Sequence, residues 1–162
     1  MRQSFIAFLT IIAALPLAAQ PLLKSQVDHL VEQIEPRVVE WRRDFHQYPE
    51  LSNREFRTAE KVAAHLKTLG LEVRTGVAKT GVVGILRGGK PGPVIGLRAD
   101  MDALPVTERA ELPFKSVAKG EYNGETVGVM HACGHDTHVA IMMGVAEVLS
   151  SLKTELAGTV VF

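Results

Sequence analysis

The sequence predicts an α/β protein: a mostly parallel sheet flanked by helices. Two observations predict it. Segments with helical spacing of apolar residues alternate with short apolar runs, and the runs are bounded by Gly and Pro. The last such run, Gly158-Thr159-Val160-Val161-Phe162, follows a long helical pattern, as a buried strand does in an alternating architecture.

The elements follow in order. Lys24 to Gln47 has helical spacing at Val27, Leu30, Val31, Ile34, Val38, Trp41 and Phe45; Pro36 interrupts it, which predicts a kink or two consecutive helices. His46 to Ser52 reads as a break. Ser52 or Asn53 can cap a second helix reaching about Leu69, with Glu55 in its first turn, Phe56 on its apolar stripe and Gly70 as its stop. Strands are expected at Leu71–Arg74, Gly81–Leu86 and Val94–Arg98, with Arg87 to Pro93 as a turn by composition. Leu104 to Met130 is long, Gly-containing and weakly periodic. A helix is expected from Asp136 to Lys153.

Residues 1–20 form a separate unit. Arg2 precedes an uncharged apolar run from Phe5 to Leu17, and Ala18-Ala19-Gln20 supplies small residues for a peptidase. This pattern predicts a secretory signal peptide cleaved near Ala19 or Gln20, hence an exported, periplasmic or secreted chain. The run spans about 20 Å as a helix, short of the roughly 30 Å hydrocarbon core, so no stable membrane insertion is expected after cleavage. Residues 21–162 have the length of one domain of ordinary size.

Composition excludes several classes. The chain has 162 residues with 18 Lys+Arg and 18 Asp+Glu, which leaves no basic footprint for nucleic acid. A single Cys excludes an intramolecular disulfide framework. There is no Gly-x-Ser-x-Gly elbow, and Thr80-Gly81-Val82-Val83-Gly84 lacks the helix that a dinucleotide fingerprint needs. His29 and His65 fall on predicted helices and read as solvated.

The chemistry concentrates in His131-Ala132-Cys133-Gly134-His135-Asp136-Thr137-His138, which holds three of the six histidines and the only cysteine. Thiolate, imidazole and carboxylate are divalent-metal ligands. Cys133 and His135 are spaced by one Gly that lets the backbone turn tightly. Asp136 stands where the next helix begins and can cap it. A catalytic thiol at Cys133 is a weaker reading, because the crowd of histidines suits coordination. A second constellation, Asp100-Met101-Asp102, directly follows the strand candidate Val94–Arg98, where α/β sites gather. Its paired carboxylates can orient histidine ligands or bind cations directly.

Three stretches together carry a resemblance: Trp41-Arg42-Arg43-Asp44-Phe45-His46-Gln47-Tyr48-Pro49-Glu50-Leu51-Ser52, Leu97 to Pro105, and Met130 to His138. They resemble the metal-dependent amidohydrolases that include hippurate hydrolase, N-acyl-L-amino-acid amidohydrolases and auxin–amino-acid conjugate hydrolases, relatives of aminoacylase and the dinuclear zinc carboxypeptidases. The similarity runs from about Gln33 to Phe162. It implies the N-terminal part of a dinuclear zinc-exopeptidase-like catalytic domain, with Cys133 and His135 as metal ligands. Asp102 matches a supporting aspartate, and Asp100 stands where wider relatives carry a histidine ligand. Asp136, His138 and His131 are further ligands or supports. Two divalent ions are implied, with Zn²⁺ favoured by the thiolate and Mn²⁺, Co²⁺ or Ni²⁺ open.

The implied activity is hydrolysis of the amide bond of an N-acyl amino acid or short peptide. In the family the general base is one of a Glu-Glu pair placed beyond the last strand candidate. Together with further histidine ligands and a lid domain, it is expected outside this chain, so the 162-residue polypeptide is expected to be inactive. A homodimer of the full-length form is also among the implications. The competing readings are an exported, non-catalytic metal-binding module with a closed four-ligand site, and a degenerate family member.

Overall fold

The computed structural model describes residues 19–162, with side chains described from Leu23. The apolar leader and its cleavage site lie almost wholly outside the described residues. Among the described residues no helix is long and apolar enough to cross a membrane.

Helix α1 spans Ala19–Gln47 and continues through Pro36, so of the two expected outcomes, a kink or two consecutive helices, the division into two does not occur. Pro36 and Glu32 are both exposed, so the backbone carbonyl that loses its donor faces solvent, where water can serve it. The expected break at His46 to Ser52 begins only after Gln47. Helix α2, Phe56–Thr68, starts later than expected, with Glu55 at the N-cap making no capping bond. The capping role falls to Glu50 instead. Its two carboxylate oxygens accept the N–H groups of Arg57 at 3.0 Å and Thr58 at 2.8 Å. Phe56, expected on the apolar stripe, is exposed. Gly70, at φ +76°, ends the helix in the left-handed conformation that glycine adopts without strain.

Strands β1 (Glu72–Val77), β2 (Gly81–Arg87), β3 (Lys90–Gly96) and a last strand, Ala157–Val161, form one sheet. A separate hairpin, β4 (Lys119–Tyr122) and β5 (Glu125–Gly128), precedes helix α3 (His135–Ser151), so the last strand is β6. The sheet order is β1-β2-β6-β3. The sheet is mixed rather than mostly parallel: β1 with β2 and β2 with β6 are antiparallel, and β3 with β6 is parallel. The turn between β1 and β2 is too short for the crossover that a parallel pair needs. Strand β6 is wedged between β2 and β3, so Gly88-Gly89 does not make a paired hairpin. Pro91-Gly92-Pro93 lies within β3, where an edge position and an irregular register between Lys90 and Val94 tolerate the missing N–H groups.

Three apolar clusters hold these layers. Leu66, Leu71, Leu86, Ala146 and Val160 join α2 and α3 to the sheet. Phe45, Val139, Ala140 and Met143 join α1 to α3. Leu51, Ala103 and Val129 anchor the loop region. The parallel pair ends at Gly96 opposite Val161, and the chain beyond Gly96 leads directly to Asp100. The start of α3 meets it there.

Candidate metal centre

Two segments build the site. The chain leaving β3 supplies Asp100 and Asp102. The turn into α3 supplies His131, Cys133, His135, Asp136 and His138. Gly134, the residue before α3, has φ +84°, which lets the chain reverse immediately before His135 enters the helix.

His135 is held on one side. Its Nδ1–H donates to the Asp102 backbone oxygen at 2.9 Å and to Asp102 Oδ1 at 3.0 Å. That fixes the ring and leaves Nε2 free, 3.7 Å from Asp100 Oδ2. The other oxygen of Asp100 accepts the His138 Nδ1–H at 2.7 Å. The two imidazoles stack with centroids 5.5 Å apart. The hydrogen bond from His138 is the main reason the Asp100 carboxyl lies below its usual range.

Asp100, His135 and His138 each offer a ligand atom, and these atoms lie within 4.8 Å of one another. An ion about 2 Å from each of three ligands needs ligand atoms roughly 3–4 Å apart, so small side-chain shifts would close this set on a cation. The donor types, two imidazoles and a carboxylate, suit a divalent transition metal. Cys133 is exposed on the same turn and lies outside that three-residue group.

Asp136 is expected to cap α3, and also to act as a support or ligand; the first does not occur. Its fully buried carboxylate turns inward, and Oδ2 accepts from His46 Nδ1 at 2.8 Å and Arg42 Nε at 3.0 Å. His46 Nε2 donates in turn to Glu108 Oε1 at 3.0 Å. Burial pulls the Glu108 carboxyl upward, but the His46 bond and the Ser116 backbone N–H outweigh it and hold it below the usual range. His131 is buried beside this group, and among the described residues neither ring nitrogen has a partner. Burial pushes its pKa down to about 4 against the opposing pull of Asp136, so the ring is neutral at pH 7.

The motifs singled out in the sequence lie on the two segments that meet here, Asp136 and His131 among them, whereas His46 and Glu108 are not among the expected site residues. His46 and Glu108 lie 90 and 62 residues from the partners that define them, and nothing in their local pattern marks that pairing. His65, expected to be solvated, is packed: its ring meets Trp41 edge-on at 4.7 Å and its Nε2–H donates to the Met143 carbonyl at 3.2 Å.

Comparison with known proteins bears on this geometry. Residues 96–162 match peptidase family M20/M25/M40. Thermostable carboxypeptidase 1 of Saccharolobus solfataricus is 50% identical over 139 residues, which is 85% of this chain and 33% of that protein. An N-acyl-L-amino acid amidohydrolase of Geobacillus stearothermophilus is 38% identical over 87% of this chain and 36% of its own length. Among solved structures, a Bacillus subtilis dinuclear metal-binding peptidase of the M20 family superposes with a TM-score of 0.71 at 41% identity, over 81% of this chain and 35% of that one. The chain thus spans about a third of the length of the relatives it matches.

Proposed function

Because this chain belongs to peptidase family M20/M25/M40, of whose members it represents a portion, we propose that it forms part of a metal-dependent amidohydrolase. The substrate class is N-acyl amino acids or short peptides, cleaved at the amide bond. The carrying observation is the arrangement of Asp102, His135 and Asp100. One ring nitrogen of His135 is tied to a carboxylate while the other faces a second carboxylate.

In this reading His135 Nε2, His138, Asp100 and the thiolate of Cys133 hold divalent ions. Two such ions, when bound, supply Lewis-acid chemistry, polarising the amide carbonyl and acidifying water. The chain's own residues hold and orient. Asp102 keeps the His135 proton on Nδ1, so that Nε2 presents its lone pair. Asp100 places negative charge where cationic charge must gather. The group Asp100, His135 and His138 includes no glutamate. Following the family resemblance, the general base in this reading is a glutamate outside these 162 residues, which alone are expected to hydrolyse nothing. Zn²⁺ is favoured as the metal if the thiolate ligates. Export through the N-terminal apolar segment belongs to the same reading.

The test pairs two proteins. Residues 21–162 and the full-length protein, each supplied with Zn²⁺ or Mn²⁺, are assayed on N-acetyl and N-benzoyl amino acids. Turnover by the full-length protein alone is expected. Turnover by residues 21–162 contradicts the assignment of the base, and a full-length protein that neither retains metal nor hydrolyses any amide overturns the reading.

A further inference from the structure

We infer that His46 is a positioning residue for the metal-binding turn: from the end of α1 it holds Asp136, and through Asp136 it fixes the first turn of α3, which carries His135 and His138. The inference rests on the metal-dependent reading above and goes beyond it, since His46 touches neither Asp100, His135 nor His138 through a hydrogen bond.

The geometry is specific. Both ring nitrogens of His46 face carboxylates, Asp136 at 2.8 Å and Glu108 at 3.0 Å. Each ring nitrogen lies within hydrogen-bond distance of one carboxylate, so the ring cannot flip without losing these bonds. Phe114 packs edge-on against the imidazole, with centroids 5.7 Å apart. Glu108 is itself fixed by the Ser116 backbone N–H, and the Ser116 hydroxyl donates to the Val129 carbonyl at 2.7 Å. One imidazole therefore ties three segments together: the end of α1, the loop before β4, and the start of α3.

Asp136 is the neighbour of His135 in the chain, and its carboxylate is fully buried. Its Oδ2 is shared by His46 and Arg42, and among the described residues Oδ1 has no partner, so within them these two donors hold the side chain. Metal ligands must be held to within about 0.5 Å of their productive positions. A buried carboxylate one residue from a ligand, clamped from a different helix, supplies such a constraint. Arg42 is partly exposed and stacks over Phe114, which makes His46 the more rigid of the two donors.

The experiment uses the full-length protein and reads metal binding rather than turnover. Affinity for Co²⁺ and Zn²⁺ is measured by competition with a chromophoric chelator, well below each variant's Tm, with the Co²⁺ visible spectrum as the report on coordination. His46→Leu is expected to lose about 10- to 100-fold in affinity and to alter the Co²⁺ spectrum, as loss of an outer support does. Glu108→Gln is the conservative partner. The new amide donates to His46 Nε2, Nδ1–H stays on Asp136, and affinity stays at the wild-type level even if Tm falls. Should His46→Leu fail to fold, His46→Gln and Arg42→Met carry the test, each weakening the hold on Asp136 and each expected to weaken binding. Wild-type affinity in folded His46 variants overturns the inference, as does an equal loss in His46→Leu and Glu108→Gln. A wild-type protein that binds neither ion overturns the functional reading instead, and the inference with it.

Discussion

At Gly134 the local chemistry of the sequence and the geometry of the site coincide. Its φ of +84° is left-handed, and a Cβ built there meets no atom within 4 Å. Room is not the constraint; the backbone is. Gly134→Ala is therefore expected to cost about 1–2 kcal/mol, the price of a left-handed alanine, and Gly134→Asn less. A urea titration checks this through a lower midpoint at unchanged slope. Asp44 gives a second residue-scale expectation. Burial would raise its carboxyl, but Arg57 at 2.8 Å and Lys61 at 2.6 Å outweigh that and hold it below its ordinary value. A depressed native pKa means the contribution is complete above the unfolded value of 3.8 and disappears as pH falls through the lower native one. Because the group is partly solvated, Asp44→Asn is expected to cost no more than about 1 kcal/mol at pH 7. Thermal melts of the two proteins should converge as pH drops below 3.8; a gap that persists at lower pH would mean the ion pairs are not its source. The residues legible in the sequence are those whose role is local. Cys133, Gly134 and His135 announce themselves by spacing, and Asp102 by its place after a strand. His46 does not, because its meaning comes from Asp136 and Glu108, which reach it only through the fold.

Elements were legible where apolar periodicity was strong, and their pairing was not. All the strand candidates exist, yet β6 enters between β2 and β3, a choice made by residues far apart in sequence. Pro91-Gly92-Pro93 has the composition of a turn, but an edge strand can accept it because the absent N–H groups have no ladder partner to lose. The β4–β5 hairpin was hidden for the opposite reason. Asn123-Gly124 is a strong turn signal, with φ of 52° and 81°, but the flanking strands are largely exposed and carry little apolar alternation. The wedge of β6 depends on glycines at close backbone contacts, Gly158 the tightest of them. At Gly158, φ is +91° and a Cβ would sit 2.0 Å from the Pro93 carbonyl oxygen and 2.9 Å from Gly92 backbone. Both neighbours are backbone of the adjoining strand, so no side chain can move aside. Gly158→Ala is expected to separate β3 from β6 at its first residues and to reduce soluble yield. By contrast Gly144→Ala, on α3, meets only Val38 Cγ2 at 2.8 Å, and should be tolerated with a smaller fall in Tm. Comparing the two melts distinguishes a backbone clash from a side-chain one.

The molecule as a whole carries an open flank. β3 is the outermost strand of the sheet, its residues are all exposed, and Val94 and Ile95 are 70% and 52% exposed. A strand with free N–H and C=O groups and apolar side chains at its edge is a template for pairing with another chain. Proline at positions 91 and 93 blunts its first half and leaves Val94 to Gly96 unprotected. The site, Asp100 and His135, lies just beyond the end of this strand. Residues 21–162 purified alone are expected to self-associate at micromolar concentration, seen as species larger than a monomer in sedimentation velocity. Val94→Lys places a charge on the bare edge and should shift the distribution to monomer while leaving the circular dichroism spectrum unchanged. If the unsubstituted polypeptide is monomeric throughout, the edge is protected in some other way. If Val94→Lys associates as strongly as its parent, the contact lies elsewhere, and the apolar groove between α1 and α3, lined by Val27, Val31, Ile141 and Val145, is the next surface to substitute.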